Sequence, residues 1–252
     1  MYMQGNTILI TGGGSGIGRG LAEAFHKLGN LVVIGGRRRG VLEQTAAANP
    51  GMGWVVLDTT KPESITAAAA DVASRYPLLN VVINNAGVQR VHDYAQPQTL
   101  RSAAVREEIE TNIYGVLDMA AAFLPHLLQQ PSATLINVSS GLAFLPIALY
   151  PVYCATKAFV HSYTMSLRHQ LRGTSVRVIE LAPPWVKTEL DAAHAAPSTH
   201  DGMSPMPLDQ FIAAAMADLA GGGDELPVAG AKFLHGAGVS PNAAEMFARI
   251  NH

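Results

Sequence analysis

Short runs of β-branched and aliphatic residues alternate with stretches of helical periodicity from residue 7 onward, and this alternation leaves few architectures open. Thr7–Thr11 (TILIT), Leu31–Gly35 (LVVIG), Trp54–Leu57 (WVVL), Asn80–Asn84 (NVVIN), Thr134–Val138 (TLINV) and Val176–Leu181 (VRVIEL) read as strands apolar on both faces. Such strands belong to a parallel sheet covered by helices. Between the first two, Ile17, Leu21, Ala24, Phe25 and Leu28 recur at helical spacing, and Gly29 supplies a stop. Pro62–Tyr76 opens with a proline suited to a first helical turn, and Val105–Gln129 and Val152–Leu171 are longer helical patterns. This βαβαβ order, with crossovers of ordinary length and no linker or repeat, predicts an α/β fold. Residues 1–252 should form one doubly wound domain, its parallel sheet flanked by helices on both faces.

A chain of 252 residues in one such domain buries about 70–75% of its unfolded surface. Only 14% of residues are charged against 48% hydrophobic, and 17 Lys+Arg against 19 Asp+Glu leave a net charge of −2. That excludes a disordered tail protein and argues against a nucleic-acid partner, which needs a basic surplus. A single cysteine, Cys154, excludes an internal disulfide framework and makes a reducing cytoplasm the simplest compartment. Met1-Tyr2-Met3-Gln4 carries no basic leader, and Ile8-Leu9-Ile10 is too short for a signal sequence. The uncharged stretch Leu127–Thr156 contains Pro131, Pro146, Pro151, Asn137, Ser139 and Ser140, so it reads as buried strand, loop and helix rather than a membrane span. Asp191–Pro207 has no periodicity and holds Pro197, Pro205, Pro207, Gly202, His194 and His200. It is expected to be a mobile loop, either a lid or binding loop or a solvated insertion.

Thr11-Gly12-Gly13-Gly14-Ser15-Gly16-Ile17-Gly18 lies between the first strand and the first helix. Glycines there allow a tight turn and close approach, while free helix N–H groups and the dipole favour a pyrophosphate. The phosphate-loop pattern fails because Arg19 and Gly20 follow Gly18. The G-x-G-x-x-G fingerprint fails because the spacing is Gly12-x-x-x-Gly16-x-Gly18. Asn84-Asn85-Ala86-Gly87 closes the fourth strand, Asn112 falls in a helix, Ser140 follows the fifth strand, and Tyr153-x-x-x-Lys157 opens the next helix. Together these motifs resemble the short-chain dehydrogenase/reductase family, in its single-domain branch with a Rossmann-type fold. The resemblance runs from Asn6 to about Leu190.

Tyr153 and Lys157, four apart, share a helix face. A free phenol has a pKa of about 10, and a nearby ammonium favours the phenolate. The resemblance implies that Tyr153 gives a proton to a substrate carbonyl in reduction, or takes it from the alcohol in oxidation. It implies that Lys157 lowers the Tyr153 pKa and holds the nicotinamide ribose, that Ser140 hydrogen-bonds the substrate oxygen, and that Asn112 holds a water leading to Lys157. Ser139 competes for the serine role; Ser140 is preferred because thirteen residues to the tyrosine is the family's usual spacing. Gly12, Ser15, Gly16, Ile17 and Gly18 would meet the pyrophosphate. Asn85, Ala86 and Gly87 would line the adenosine side, and Asp58, with Thr59 beside it, would bind the adenine amino group. In Pro183-Pro184-Trp185-Val186-Lys187-Thr188, Pro183 and Val186 would lie at the carboxamide and Thr188 at the nicotinamide or pyrophosphate. Pro184 stands where the family has glycine.

The end of the second strand separates the two nicotinamide cofactors: an acid there accepts a ribose 2′-hydroxyl, an arginine a 2′-phosphate. Gly36 occupies the acid's position and Arg37-Arg38-Arg39 follow, three positive charges with no acid expected in reach. The cluster is assigned to a cofactor phosphate, with Arg37 and Arg38 as ligands, so NADP(H) is the expected cofactor and NAD(H) possible. Ser15 stands where some NADP-preferring relatives carry a basic residue. His92, His126, His194 and His200 show no ligand spacing, so no metal site is expected. Cys154 reads as small-residue packing, and Leu142, Phe144, Leu145 and Trp185 as pocket walls or core.

The sequence thus predicts an NADP(H)-dependent oxidoreductase acting on a carbonyl or secondary alcohol. An NAD-linked alcohol dehydrogenase is the alternative, and a dinucleotide-sensing regulator without turnover an alternative of another class. Retention of Ser140, Tyr153 and Lys157 weighs against the sensor. Substrate choice would rest on residues 189–207 and 225–252. By resemblance the chain is a homodimer or homotetramer paired through its two long helices.

Overall fold

All six expected strands are present in the computed structural model, which describes residues 2–99, 102–192, 204–240, 242 and 245. They are β1 (Thr7–Thr11), β2 (Leu31–Gly36), β3 (Gly53–Val56), β4 (Leu79–Asn84), β5 (Ala133–Val138) and β6 (Val176–Ala182). A short seventh, β7 (Glu225–Pro227), adds to the edge beside β6. The order is β3-β2-β1-β4-β5-β6-β7 with every pair parallel.

Period-2 alternation along the strands divides the core in two. Ile8, Ile10, Val32, Ile34, Val81 and Ile83 face α1 (Gly16–Lys27) and α8 (Leu208–Gly221), packing with Leu21, Phe25, Phe211 and Leu219. Leu9, Val33, Val82, Leu135 and Val178 face the opposite layer of α3 (Pro62–Arg75), α5 (Gly115–Leu127) and α6 (Pro151–Leu171). Each fully buried Leu, Ile or Phe contributes about 1.5–3 kcal/mol, which is why both faces of the sheet are apolar in sequence.

Three local features differ from the sequence pattern. The buried stripe of α1 is Gly18, Leu21, Ala22 and Phe25, while Leu28 is 38% exposed, because the helix ends at Lys27 and Leu28 caps it just before Gly29, whose φ is 84°, turns the chain. The long helix expected at Val105–Gln129 is α4 (Ser102–Ile109), a π turn (Glu110–Tyr114) and α5 in succession, with Asn112 in the π turn. The start of the irregular segment is a short helix, α7 (Glu189–Ala192), and Val186 and Met206 bridge its base; residues 193–203, with His194, Pro197 and His200, lie outside the described residues. The remaining helices are α2 (Arg39–Ala48) and α9 (Ala231–Gly238). Among the described residues, no helix is long and apolar enough to cross a membrane.

From β1 the chain winds outward through β2 and β3, then crosses to β4 on the other side of β1. This reversal opens a crevice at the carboxyl ends of β1 and β4, where ligands of doubly wound sheets bind.

Candidate active site

The glycine turn leaves β1 directly into that crevice. Gly12 has a φ of 65°, a conformation that side chains resist. A Cβ at Gly18 would fall on the Gly12 carbonyl and within 2.5 Å of Asn85 Nδ2, so α1 starts against bare backbone. Thr11 Oγ1 accepts the N–H groups of Asn85 (2.9 Å) and Ala86 (3.0 Å), and Asn85 Nδ2 donates to the Thr11 carbonyl at 2.9 Å. These bonds stitch the end of β4 to the turn. Gly18 and Asn85 therefore shape the floor, whereas Gly12, Ser15, Ala86 and Gly87 line the cleft itself. Ile17 turns its side chain into the core. A Cβ on Gly16 would touch Thr188 at 3.5 Å, so the segment after β6 folds over the glycine turn.

Arg37, Arg38, Asp58 and Thr59 line the far end of the cleft. Arg38 Nη2 donates to Ser15 Oγ at 3.0 Å and lies 3.5 Å from Glu189, while Arg37 lies 3.9 Å from Glu107. The expectation that no acid reaches these arginines is thus corrected: tertiary folding brings two from distant segments. Both pairs are exposed and weak enough for an anion to displace. Arg39 leaves the cluster, bonding Glu43 one turn along α2 at 2.9 Å and lying over the Trp54 ring. Arg39 is the first residue of α2, and its side chain follows the helix surface. Asp58 Oδ1 accepts the N–H (3.0 Å) and hydroxyl (2.8 Å) of Thr60. Burial pushes this carboxyl up, but the Thr60 hydrogen bonds and the charges of Arg37 and Lys61 outweigh it and hold Asp58 below its usual value.

Pro151 opens α6, so Tyr153 and Lys157 stand one turn apart where the helix enters the crevice. Lys157 is buried, 5.6 Å from the centre of the Tyr153 ring, and its Nζ donates to the Val138 carbonyl at 2.8 Å. Burial lowers its pKa to about 8, with the Glu180 charge opposing that fall. Ser140 heads a 3-10 turn, Gly141–Ala143, where its Oγ accepts the Leu142 N–H at 3.1 Å. Ser139 donates instead to the buried Glu180 of β6, whose other oxygen meets His161 Nδ1 at 2.8 Å. Asn112 differs from expectation in detail. Its amide clamps the Val88 backbone (2.9 and 2.8 Å) and donates to Thr156 Oγ1 at 3.0 Å. A Cβ at Gly87 would stand 3.3 Å from Asn112 Oδ1 and 3.6 Å from Lys157 Nζ, so its absence keeps the route from the cleft to Lys157 open.

The cleft fits a dinucleotide on these grounds: a floor of bare glycine backbone, the cationic side chains of Arg37 and Arg38, and Gly87, behind which the buried Lys157 stands beside Tyr153. Beyond β6, Pro183 accepts the Gly141 N–H at 2.8 Å, and Val186 is buried between backbone bonds of Trp185 and Lys187 to Met206. Leu142 packs near Tyr150, Tyr153 and Cys154, whereas Phe144 sits edge-on to His161 and His235. Leu145 is core, and burial pushes the Cys154 thiol up to about 11.

Sequence reading missed Glu180 and His161, although a glutamate inside the apolar run VRVIEL was a signal. His161, Glu180 and Glu225 bring donor atoms within 4.8 Å of one another, with His161 paired to Glu180 and His235 to Glu225. His92 is buried against Glu108 at 2.5 Å, and His126 meets the Leu79 carbonyl.

A family model for the short chain dehydrogenases matches residues 6–198. The chain is 45% identical over 191 residues to the "Uncharacterized oxidoreductase DltE" of Bacillus subtilis (strain 168), covering 76% of this chain and 75% of that one. Its fold superposes on a short chain dehydrogenase from Burkholderia cenocepacia J2315 in complex with NADP, with a TM-score of 0.84, 29% identity and 99% of each chain covered. A 3-ketoacyl-(acyl-carrier-protein) reductase from Brucella melitensis complexed with NADH gives a TM-score of 0.78 at 27% identity, over 85% of this chain and 90% of that one.

Proposed function

The chain belongs to the short-chain dehydrogenase family of oxidoreductases, and from that premise we propose that it interconverts a carbonyl and a secondary alcohol using NADP(H). The observation that carries this reading is a cleft lined by Arg37, Arg38 and Gly87, with Lys157 directly behind Gly87 and 5.6 Å from the Tyr153 ring.

A bound nicotinamide supplies or accepts the hydride. The Tyr153 hydroxyl gives its proton to the substrate oxygen in reduction and takes it back in oxidation. The Lys157 ammonium favours the phenolate and would hold the nicotinamide ribose. Ser140 Oγ donates to the same substrate oxygen, where negative charge gathers. Arg37 and Arg38 exchange their exposed acids for the 2′-phosphate, while Ser15 and the turn from Gly12 to Gly18 meet the pyrophosphate. Leu142 and Trp185 form apolar walls near Tyr153. A cytoplasmic homodimer or homotetramer paired through α4, α5 and α6 belongs to the same reading; exposed Phe159 and Met165 on α6 support it.

The test is NADPH oxidation followed at 340 nm against ketones, aldehydes, sugars and steroids, with Tyr153→Phe as control. Turnover in the wild type and a kcat loss of about 10²- to 10⁴-fold in the variant are expected. Undiminished turnover in Tyr153→Phe would refute the proton role. Cofactor binding without turnover on any substrate would favour a dinucleotide sensor.

A further inference from the structure

We propose that Glu180 is a positioning residue of the catalytic site: its buried carboxylate holds the Ser139 hydroxyl, steadying the strand end that carries Ser140, and serves as counter-charge to the Lys157 ammonium. This rests on the reaction proposed above for its consequence in turnover, though not for its electrostatics.

Glu180 has no exposed surface, and it stands on β6 between β5 and the edge strand β7, in register with Asn137 of β5 and Glu225 of β7. A carboxylate in that position must be paired or it costs several kcal/mol. One oxygen accepts the Ser139 hydroxyl and the other meets His161 Nδ1 at 2.8 Å. The Val138 carbonyl, one peptide before Ser139, accepts from Lys157 Nζ at 2.8 Å. The acid and the ammonium therefore grip adjacent residues of one strand end, immediately before Ser140.

Val138 is a neutral acceptor, so the lysine's charge must be balanced by a charge nearby. The ionisable groups around Glu180 are Lys157 and His161 from α6 and Glu225 from β7, with His235 of α9 on Glu225 at 2.8 Å. Glu225 and His235 are partly exposed and paired to each other, so solvent weakens their field. Glu180 itself is fully buried, although its partner His161, at 2.8 Å, is partly exposed. Burial takes Lys157 down to about 8, and the Glu180 charge is the influence that opposes it.

The measurement is the titration of Lys157 in cofactor-free protein, by NMR of chains carrying ¹³Cε-lysine, with Lys157→Gln to identify the resonance. In Glu180→Gln the midpoint falls by a unit or more, a proton affinity about tenfold weaker. Glu180→Asp, which retains the charge, and Glu225→Gln leave it within a few tenths. A folded Glu180→Gln chain that titrates as wild type overturns the proposal, as does a Glu180→Asp shift as large as that expected for Gln. Should the Gln chain not fold, Glu180→Ser, which also removes the charge, takes its place with the same two outcomes. For the positioning half, Ser139→Ala lowers kcat about tenfold with KM unchanged and Ser139→Thr restores it, whereas an unchanged kcat in Ser139→Ala overturns that half. A wild type without turnover would sink the proposed reaction while leaving the Lys157 titration to decide the electrostatics.

Discussion

Lys157 Nζ meets the main-chain oxygen of Val138 at 2.8 Å, so the ammonium beside Tyr153 is anchored to the carboxyl end of β5. The site's charge is thereby tied to the stability of the sheet.

Stability should rise with pH through Lys157. Its pKa is about 8 when folded against an ordinary 10.5, so between these values the unfolded chain binds more protons and each rise in pH favours the folded one. Below about 8 both states are protonated and the full cost of burying the charge applies, on the order of 3 kcal/mol. Urea unfolding of wild type and Lys157→Met across this window measures it. The wild type should gain on the variant as pH rises, and parallel curves would contradict the burial cost.

The two serines should separate sharply. Ser140→Ala removes the donor to the substrate oxygen and should lower kcat about 10²- to 10³-fold. Ser139→Ala loosens the strand end and should cost no more than about tenfold. Steady-state kinetics at saturating cofactor checks both, and a larger loss from Ser139 would reverse their roles.

Arginine substitutions should discriminate between cofactors. Arg37→Ala with Arg38→Ala should lower kcat/KM for NADPH about 10- to 100-fold through lost charge-assisted hydrogen bonds, with little effect on NADH. Arg39→Ala, held by Glu43, should leave both within about twofold. Equal or better use of NADH by the wild type would instead favour the NAD-linked alternative.

His92 should matter to stability more than its place in a loop suggests. Burial pushes the Glu108 carboxyl up against the opposing hydrogen bond and charge of His92. His92→Ala removes one of the carboxyl's partners, leaving the Arg90 N–H at 2.9 Å, and should cost about 1–3 kcal/mol by denaturant unfolding. Glu108→Gln, which keeps an acceptor, should cost less.

Gly18→Ala should disturb the fold and the cleft together, because the added methyl overlaps the Gly12 carbonyl and Asn85. Backbone there cannot yield cheaply, and a loss of about 1–3 kcal/mol is expected with weaker cofactor binding. Fluorescence titration with NADPH checks the second effect.

Much of the fold was legible because its signals are local. Six strands follow from apolar runs read along a few residues, and the ends of β1 and α6 fall within a residue of the pattern. The edge strand β7 escaped notice because three residues, ELP, carry no periodicity, and only backbone pairing with β6 makes them a strand. Three consecutive arginines look alike in sequence, and only the start of α2 at Arg39 sets that side chain apart from Arg37 and Arg38.

The amino-acid sequence by itself determined a parallel sheet covered on both faces, a glycine turn after its first strand, and a tyrosine and lysine one helical turn apart. Each depends on spacing of a few residues. Tertiary structure alone decided that Glu107 and Glu189 guard the arginines, that Asn112 spends its amide on Val88 and Thr156, and that Ser139 belongs to Glu180, 41 residues away. Ser139 reaches Glu180 because β5 and β6 lock in one register, where a one-residue slip would turn Glu180 to the other face of the sheet. The other partners meet because loops and helix ends far apart in sequence converge at the carboxyl ends of the strands.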